Sequence, residues 1–180
     1  MRERHVEARW TSWSGDSTEI LTLGWENGGW TADGFVSGID VHYVVRVDVE
    51  WQLRQFMLFR DLDEPDLWLA RRPDDGRWGE VNGAERPDLD GCTDVDLLCT
   101  PFTNTLPIRR LGLDVGSSAD IVVAYIDPES LLVEPSPQRY VRIGERRWRF
   151  EALGGEFVAE LDVDEHGLVG DYPDLFRRTR

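Results

Sequence analysis

The chain has 180 residues and a formal net charge of −15, and all 20 of its basic residues are arginine. A domain of this size buries roughly 70% of the surface its unfolded chain exposes, so residues 1–180 are read as one domain that needs no disulfide or metal staple. Long-range repulsion by the acidic surplus excludes nucleic acid and anionic bilayers as partners, and no apolar run reaches transmembrane length.

The N-terminal "MRERHVEARWTSW" is charged where an export signal would be apolar, so a cytoplasmic location is expected. From there the hydrophobic period is two. Strands are predicted at "EARWTSW", "TEILTLGWE" and "WTADGFVSGID", the last two joined by the turn "ENGG". In "VHYVVRVDVEWQL" every odd position from Val41 to Leu53 is apolar, which predicts one long, curved strand. "DLWLARR" and "DVDLLCT" follow, then "PIRRLGLDVG", "DIVVAYI", "LLVEP", "QRYVRIG", "RWRFEAL" and "EFVAELDVD", separated by turn signals such as "PDDG", "VNGA", "PSP" and "DEHG". "DIVVAYI" is apolar on both faces and is expected to be central. With no helix-length amphipathic segment, the fold class is all-β: a large curved antiparallel sheet wrapped into a barrel, half-barrel or sandwich.

Familiar catalytic and metal motifs fail on inspection. "SGDST" lacks the strand-turn-helix elbow of a hydrolase serine. "DVDEHG" opens like a calcium loop, but the twelfth position is Pro173 instead of glutamate. His5, His42 and His166 lack ligand spacing, and Cys92 and Cys99 are expected to be free thiols. No catalytic residue, metal or cofactor is assigned.

Arginine placement is more informative. As a hairpin about Gly144 and Glu145, "QRYVRIGERRWRFEA" sets Arg142 opposite Arg147 or Arg149, with Tyr140 on the same face and Trp148 on the other. Like charges so placed need either the protein's own carboxylates or an anionic or polyhydroxylated ligand between them. Along "PIRRLGLDV", strand parity turns Arg109 inward with Leu111 and Leu113, where Asp94 or Asp96 would pair it. The preceding "TPFTNT" closes a hairpin or rims a site; Thr103, Asn104 and Thr105 have side chains suited to satisfying backbone groups.

"LDGCTDVDLLCTPFTNTLPIRRL" resembles the signature of a bacterial family called putative glycolipid-binding proteins. "DGFVSGID", "YVVRVDVEW", "GRWGEVNG", "IVVAYI", "QRYVRI" and "LDVDEHGLVGDYPDLFRR" extend the resemblance nearly end to end. It implies a curved antiparallel sheet in a partly open barrel, similar in shape to bacterial lipoprotein localisation factors, which carry acyl chains in a hydrophobic cavity. It implies no catalytic residues.

The expected function is non-catalytic binding of an amphipathic molecule, a glycolipid or other lipid. Its tail would lie along the concave aromatic side of the sheet and its polar head near the arginines and the "TPFTNT" rim. The candidate ligand residues are Trp51, Arg54, Thr103, Asn104, Arg109, Tyr140, Arg142 and Trp148. The alternatives are a hydrolase or isomerase acting on a sugar- or lipid-derived substrate through Asp48 or Glu50 beside an arginine, and a scaffold for another protein. Oligomeric state is not legible in the sequence.

Overall fold

Alternation of apolar and polar residues becomes a meander of hairpins in the computed structural model, which describes residues 5–61 and 63–180. The start of the charged N-terminal stretch, residues 1–4, lies outside the described residues. Strands β1 (His5–Ser12), β2 (Thr18–Glu26), β3 (Gly29–Ser37), β4 (Val41–Asp48), β5 (Leu53–Phe59), β6 (Leu67–Arg71) and β7 (Trp78–Glu80) pair antiparallel in chain order. The second sheet holds β8 (Asp94–Leu97), β9 (Ser118–Ile126), β10 (Val133–Gly144), β11 (Arg147–Ala152) and β12 (Val158–Asp162). The last strand, β13 (Phe176–Arg178), returns to pair with β1 and completes the first sheet at eight strands. The fold is a large antiparallel sheet with a second, curled half-barrel sheet, as the alternation predicts.

Local chemistry explains the turns. Asn27 and Gly28 both have positive φ, the geometry of a two-residue hairpin loop, and Trp25 then faces Trp30 across β2 and β3. The expected long strand through Leu53 breaks instead after Asp48. Asp48 Oδ1 accepts the N–H groups of Glu50 and Gln52, both at 2.9 Å, and Trp51 takes the left-handed conformation at φ 64°. The side-chain turn at Asp48 overrides the apolar alternation. In the other direction, "LLVEP" and "QRYVRIG" fuse into the single strand β10 across "PSP". Pro135 and Pro137 both precede the stretch paired with β11, which starts at Gln138, so β10 is still an edge there.

β8 and β9 run parallel. Such a pair needs a long crossover, and residues 98–117 supply it. The crossover carries a 3-10 turn at Phe102–Asn104 and helix α1 (Thr105–Leu111). This corrects the strand expected at "PIRRLGLDVG" and the hairpin loop expected at "TPFTNT": residues 100–108 are all buried. Pro107 sits in the first turn of α1, where its missing N–H costs nothing. Gly112 ends the helix at φ 53°.

β8, β9 and α1 divide two cores. Val95, Leu97, Ala124 and Ile126 join the inner face of the first sheet, with Tyr43, Phe56, Phe102 and Leu106. Ile121, Val123, Tyr140, Trp148 and Phe150 form the second, with Ile108 of α1 and Val169 and Tyr172 of the C-terminal segment. β9 is paired on both sides and buried on both faces, as its sequence predicts. Trp10 links the two parts of the molecule, its indole N–H donating to Val169 O at 2.9 Å.

Gly34 on β3 faces Tyr43 on β4, and a Cβ there would overlap the Tyr43 ring. Gly34→Ala is expected to destabilise by about 1–3 kcal/mol through overpacking. Urea denaturation would detect this, and an unchanged midpoint would contradict the close approach.

Candidate ligand cavity

The side of the half-barrel sheet turned from the first core holds a cavity of about 380 Å³. Phe150, Phe157, Tyr172 and Phe176 form its walls; Thr100, Asn104 and Gln138 are its buried polar lining, with Asp96 half-buried among them. The strands place these residues by simple alternation. Asp96 comes from the phase of β8 opposite Val95 and Leu97, and Gln138 lies two residues before Tyr140 on β10, on the same face.

The polar lining forms two hydrogen-bonded sets, one about Asp96 and one joining Asn104 to Tyr140. Asp96 accepts from Gln138 Nε2 at 2.6 Å and from Thr103 Oγ1 at 3.2 Å, while Thr103 Oγ1 accepts the Leu97 N–H at 3.2 Å. Burial raises the Asp96 pKa above the usual carboxylate range, opposed by those two side-chain donors. Asn104 Nδ2 donates to the Tyr140 hydroxyl at 2.9 Å. Burial, and then the charge of Asp96, raise the pKa values of Tyr140 and Tyr172, which keeps both phenols protonated. Gln138 Oε1 is buried and has no hydrogen-bond partner among the described residues.

A second carboxylate adjoins the cavity through Thr100, which lines it. Thr100 Oγ1 donates to Glu19 Oε1 at 2.8 Å, and the Tyr43 hydroxyl donates to the same oxygen. Burial pushes Glu19 up to about 7, against the lowering effect of Tyr43 and Thr100. Glu19 Oε2 has no hydrogen-bond partner among the described residues.

The eight residues singled out from the sequence fall into three groups. Thr103, Asn104 and Tyr140 belong to the two hydrogen-bonded sets of the polar lining. Arg109, Arg142 and Trp148 line a separate depression of about 350 Å³ near Arg146, Glu145, Asp164 and Glu165. Trp51 and Arg54 lie at the β4–β5 turn, where Arg54 pairs with Asp48 and Trp51 stacks on Trp30 at 5.9 Å. Arg109 touches this third group, its guanidinium 5.0 Å from the Trp51 ring centroid.

Two arginine expectations are corrected. Helical geometry at "PIRRL" makes Arg110, not Arg109, the partner of Asp94, at 2.6 Å, and Arg109 is exposed. In the β10–β11 hairpin a bulge between Arg142 and Gly144 shifts the register, so Arg142 faces Trp148 and Tyr140 faces Phe150. Arg147 and Arg149 therefore leave the face of Arg142, and Glu160 and Glu151 neutralise them, each at 2.8 Å.

Glu19, Gln138 and the aromatic wall were not singled out. Glu19 had a signal, because it shares the inward phase of "TEILTLGWE" with Leu21 and Leu23. Phe157 and Tyr172 had none, since they meet only when the C-terminal segment folds back. The enzyme alternative had named Asp48 and Glu50. Asp48 is engaged by the backbone and by Arg54, and Glu50 is exposed.

Over residues 7–178 the chain matches the model of the family described as "Putative glycolipid-binding". The chain belongs to this family. A crystal structure of a DUF1089 family protein from Pseudomonas aeruginosa is similar to it, at 34% identity and a TM-score of 0.69, covering 99% of this chain and 94% of that one. No curated protein matches. The family match spans both sheets and the whole cavity lining. Among the described residues no helix is long and apolar enough to cross a membrane.

Proposed function

We propose that the protein binds an amphipathic molecule, a glycolipid or another lipid, without chemical turnover, and that the aromatic-walled cavity is the site. One observation carries this reading: the cavity joins apolar walls to a few convergent buried polar groups, one of them an acceptor with no partner among the described residues. Its volume of about 380 Å³ suits one end of such a molecule, with the rest at or beyond the mouth. The family description points to the same ligand class. Capture is assigned to the cytoplasm, where free thiols such as Cys92 and Cys99 persist.

Native mass spectrometry of the purified protein, with separate analysis of its organic extract, tests the assignment. A stoichiometric amphipathic molecule is expected. Phe157→Ala should weaken its binding about tenfold, or about 1.4 kcal/mol, with only a modest fall in melting temperature, because Phe157 is exposed on one side while it contacts Phe150 and Tyr172 on the other. Retention of the ligand at full affinity in this variant would place the site elsewhere.

Catalysis is the alternative favoured by Glu19, a buried carboxylate raised to about 7 and one hydrogen bond from the cavity-lining Thr100. It requires a turnover that Glu19→Gln abolishes in a folded protein.

A further inference from the structure

The exposed part of the cavity lining is apolar: Leu98, Phe157 and Leu175. Its polar groups lie deeper, Asn104 and Gln138 buried and Asp96 half-buried, among the buried Leu97, Phe150 and Tyr172. Among the described residues no arginine or histidine lines the cavity. Arg177, one residue beyond the lining Phe176, lies over the Trp13 ring at 4.1 Å. The arginines expected to hold a polar head line the other depression, together with Glu145, Asp164 and Glu165.

Building on the proposed function of this cavity, we infer that it takes its ligand head first, that the head is uncharged and rich in hydroxyl donors, as a sugar or polyol is, and that phosphate and carboxylate heads are excluded. The amide of Gln138 is oriented by its neighbour, because its N–H group donates to Asp96 and its carbonyl is thereby left as the orphan acceptor. A buried acceptor without a partner is a cost that a ligand hydroxyl removes once a small shift of the Gln138 side chain opens the oxygen, which is covered in this structure, to the cavity. An anionic head meets the opposite situation: a half-buried carboxylate, no lining cation among the described residues, and mostly apolar walls that strengthen the repulsion. The exposed Leu98, Phe157 and Leu175 cover the first part of an alkyl chain as it leaves the mouth.

Three probes of equal chain length decide this: n-octyl β-glucoside, octyl phosphate and 1-octanol, titrated into the full chain below their micellar or solubility limits. The glucoside is expected to bind at least tenfold more tightly than either of the others. Binding should shift the side-chain amide resonances of Gln138 and Asn104. A nitroxide at the chain end of the glycoside should broaden Leu98 and Leu175 more than those amides. Octyl phosphate binding as tightly as the glucoside, with binding weakened by Phe157→Ala, overturns the neutral-head inference and leaves the cavity as the site. Broadening of the amides in preference to the leucines overturns the orientation. Glucoside binding at full strength in Phe157→Ala, or no probe bound, overturns both the inference and the functional reading beneath it. Gln138→Leu should lose the preference for glucoside over octanol; should that variant not fold, the amide shifts in the unaltered protein decide.

Discussion

Replacing Arg110 with methionine is expected to lower stability by about 3–5 kcal/mol, the cost of leaving a buried charge uncompensated. The side chain of Asp94 is 0% exposed and that of Arg110 is 11% exposed. Arg110 Nε lies 3.1 Å from both carboxylate oxygens, Nη2 lies 2.6 Å from Oδ2, and Nη2 also donates to Thr93 Oγ1 at 3.0 Å. This geometry pins the last turn of α1 to the start of β8, so the loss should loosen the crossover on which both cores pack. Arg109→Met, one residue away, removes an exposed guanidinium from the face of Trp51 and should cost only about 1 kcal/mol. Urea denaturation of the two variants makes the comparison, and equal losses would contradict the assignment of the pair to Arg110. Pairing Arg110→Met with Asp94→Leu should recover much of the stability, because the cost lies in the stranded carboxylate and not in the missing attraction.

The second large effect is a dependence of stability on pH that belongs to Glu19. Its folded pKa of about 7 stands above the unfolded value of about 4.3. Between those values the folded state holds a proton that the unfolded state has released, so stability must fall as pH rises. The contribution is fully present below about pH 4 and is lost as pH passes through 7. The whole change is nearly 4 kcal/mol, at about 1.36 kcal/mol per pKa unit, of which about 3 falls between pH 4 and pH 8.5. Glu19→Gln keeps an acceptor for the Tyr43 and Thr100 hydroxyls but cannot ionise. The difference in unfolding free energy between the unaltered protein and this variant should therefore move by about 3 kcal/mol in the variant's favour from pH 4 to pH 8.5. Taking the difference removes Asp96 and the other carboxylates, which titrate in both proteins. A difference that stays flat across this range would show that Glu19 ionises at its ordinary pKa.

The depth to which the sequence could be read differed from element to element. The Asn27–Gly28 hairpin was legible because its backbone geometry is demanded by two adjacent residues. β9 was legible as a central strand because both of its phases are apolar. Helix α1 had local signals in Pro107 and Gly112, but at seven residues it is too short for a helical period to emerge. The acidic phase of β8 misleads for another reason. Strand parity makes Asp94 or Asp96 the partner of an inward Arg109, yet Asp94 is buried against Arg110 and Asp96 is half-buried beside Gln138 and Thr103.

By itself the sequence determined the all-β class, most of the strands and turns, the family, and the acidic balance of charge. Each of these follows from interactions between near neighbours or from composition. The tertiary structure alone decided that "TPFTNTLPIRRL" is a buried crossover helix, that Arg110 instead of Arg109 neutralises Asp94, and that Asp96, Gln138 and the C-terminal aromatics share one cavity. These outcomes depend on the parallel pairing of β8 with β9, on the bulge that sets the β10–β11 register, and on the return of the chain end to β1. All three bring together residues distant along the chain or shift a register by one residue, and no local periodicity encodes either.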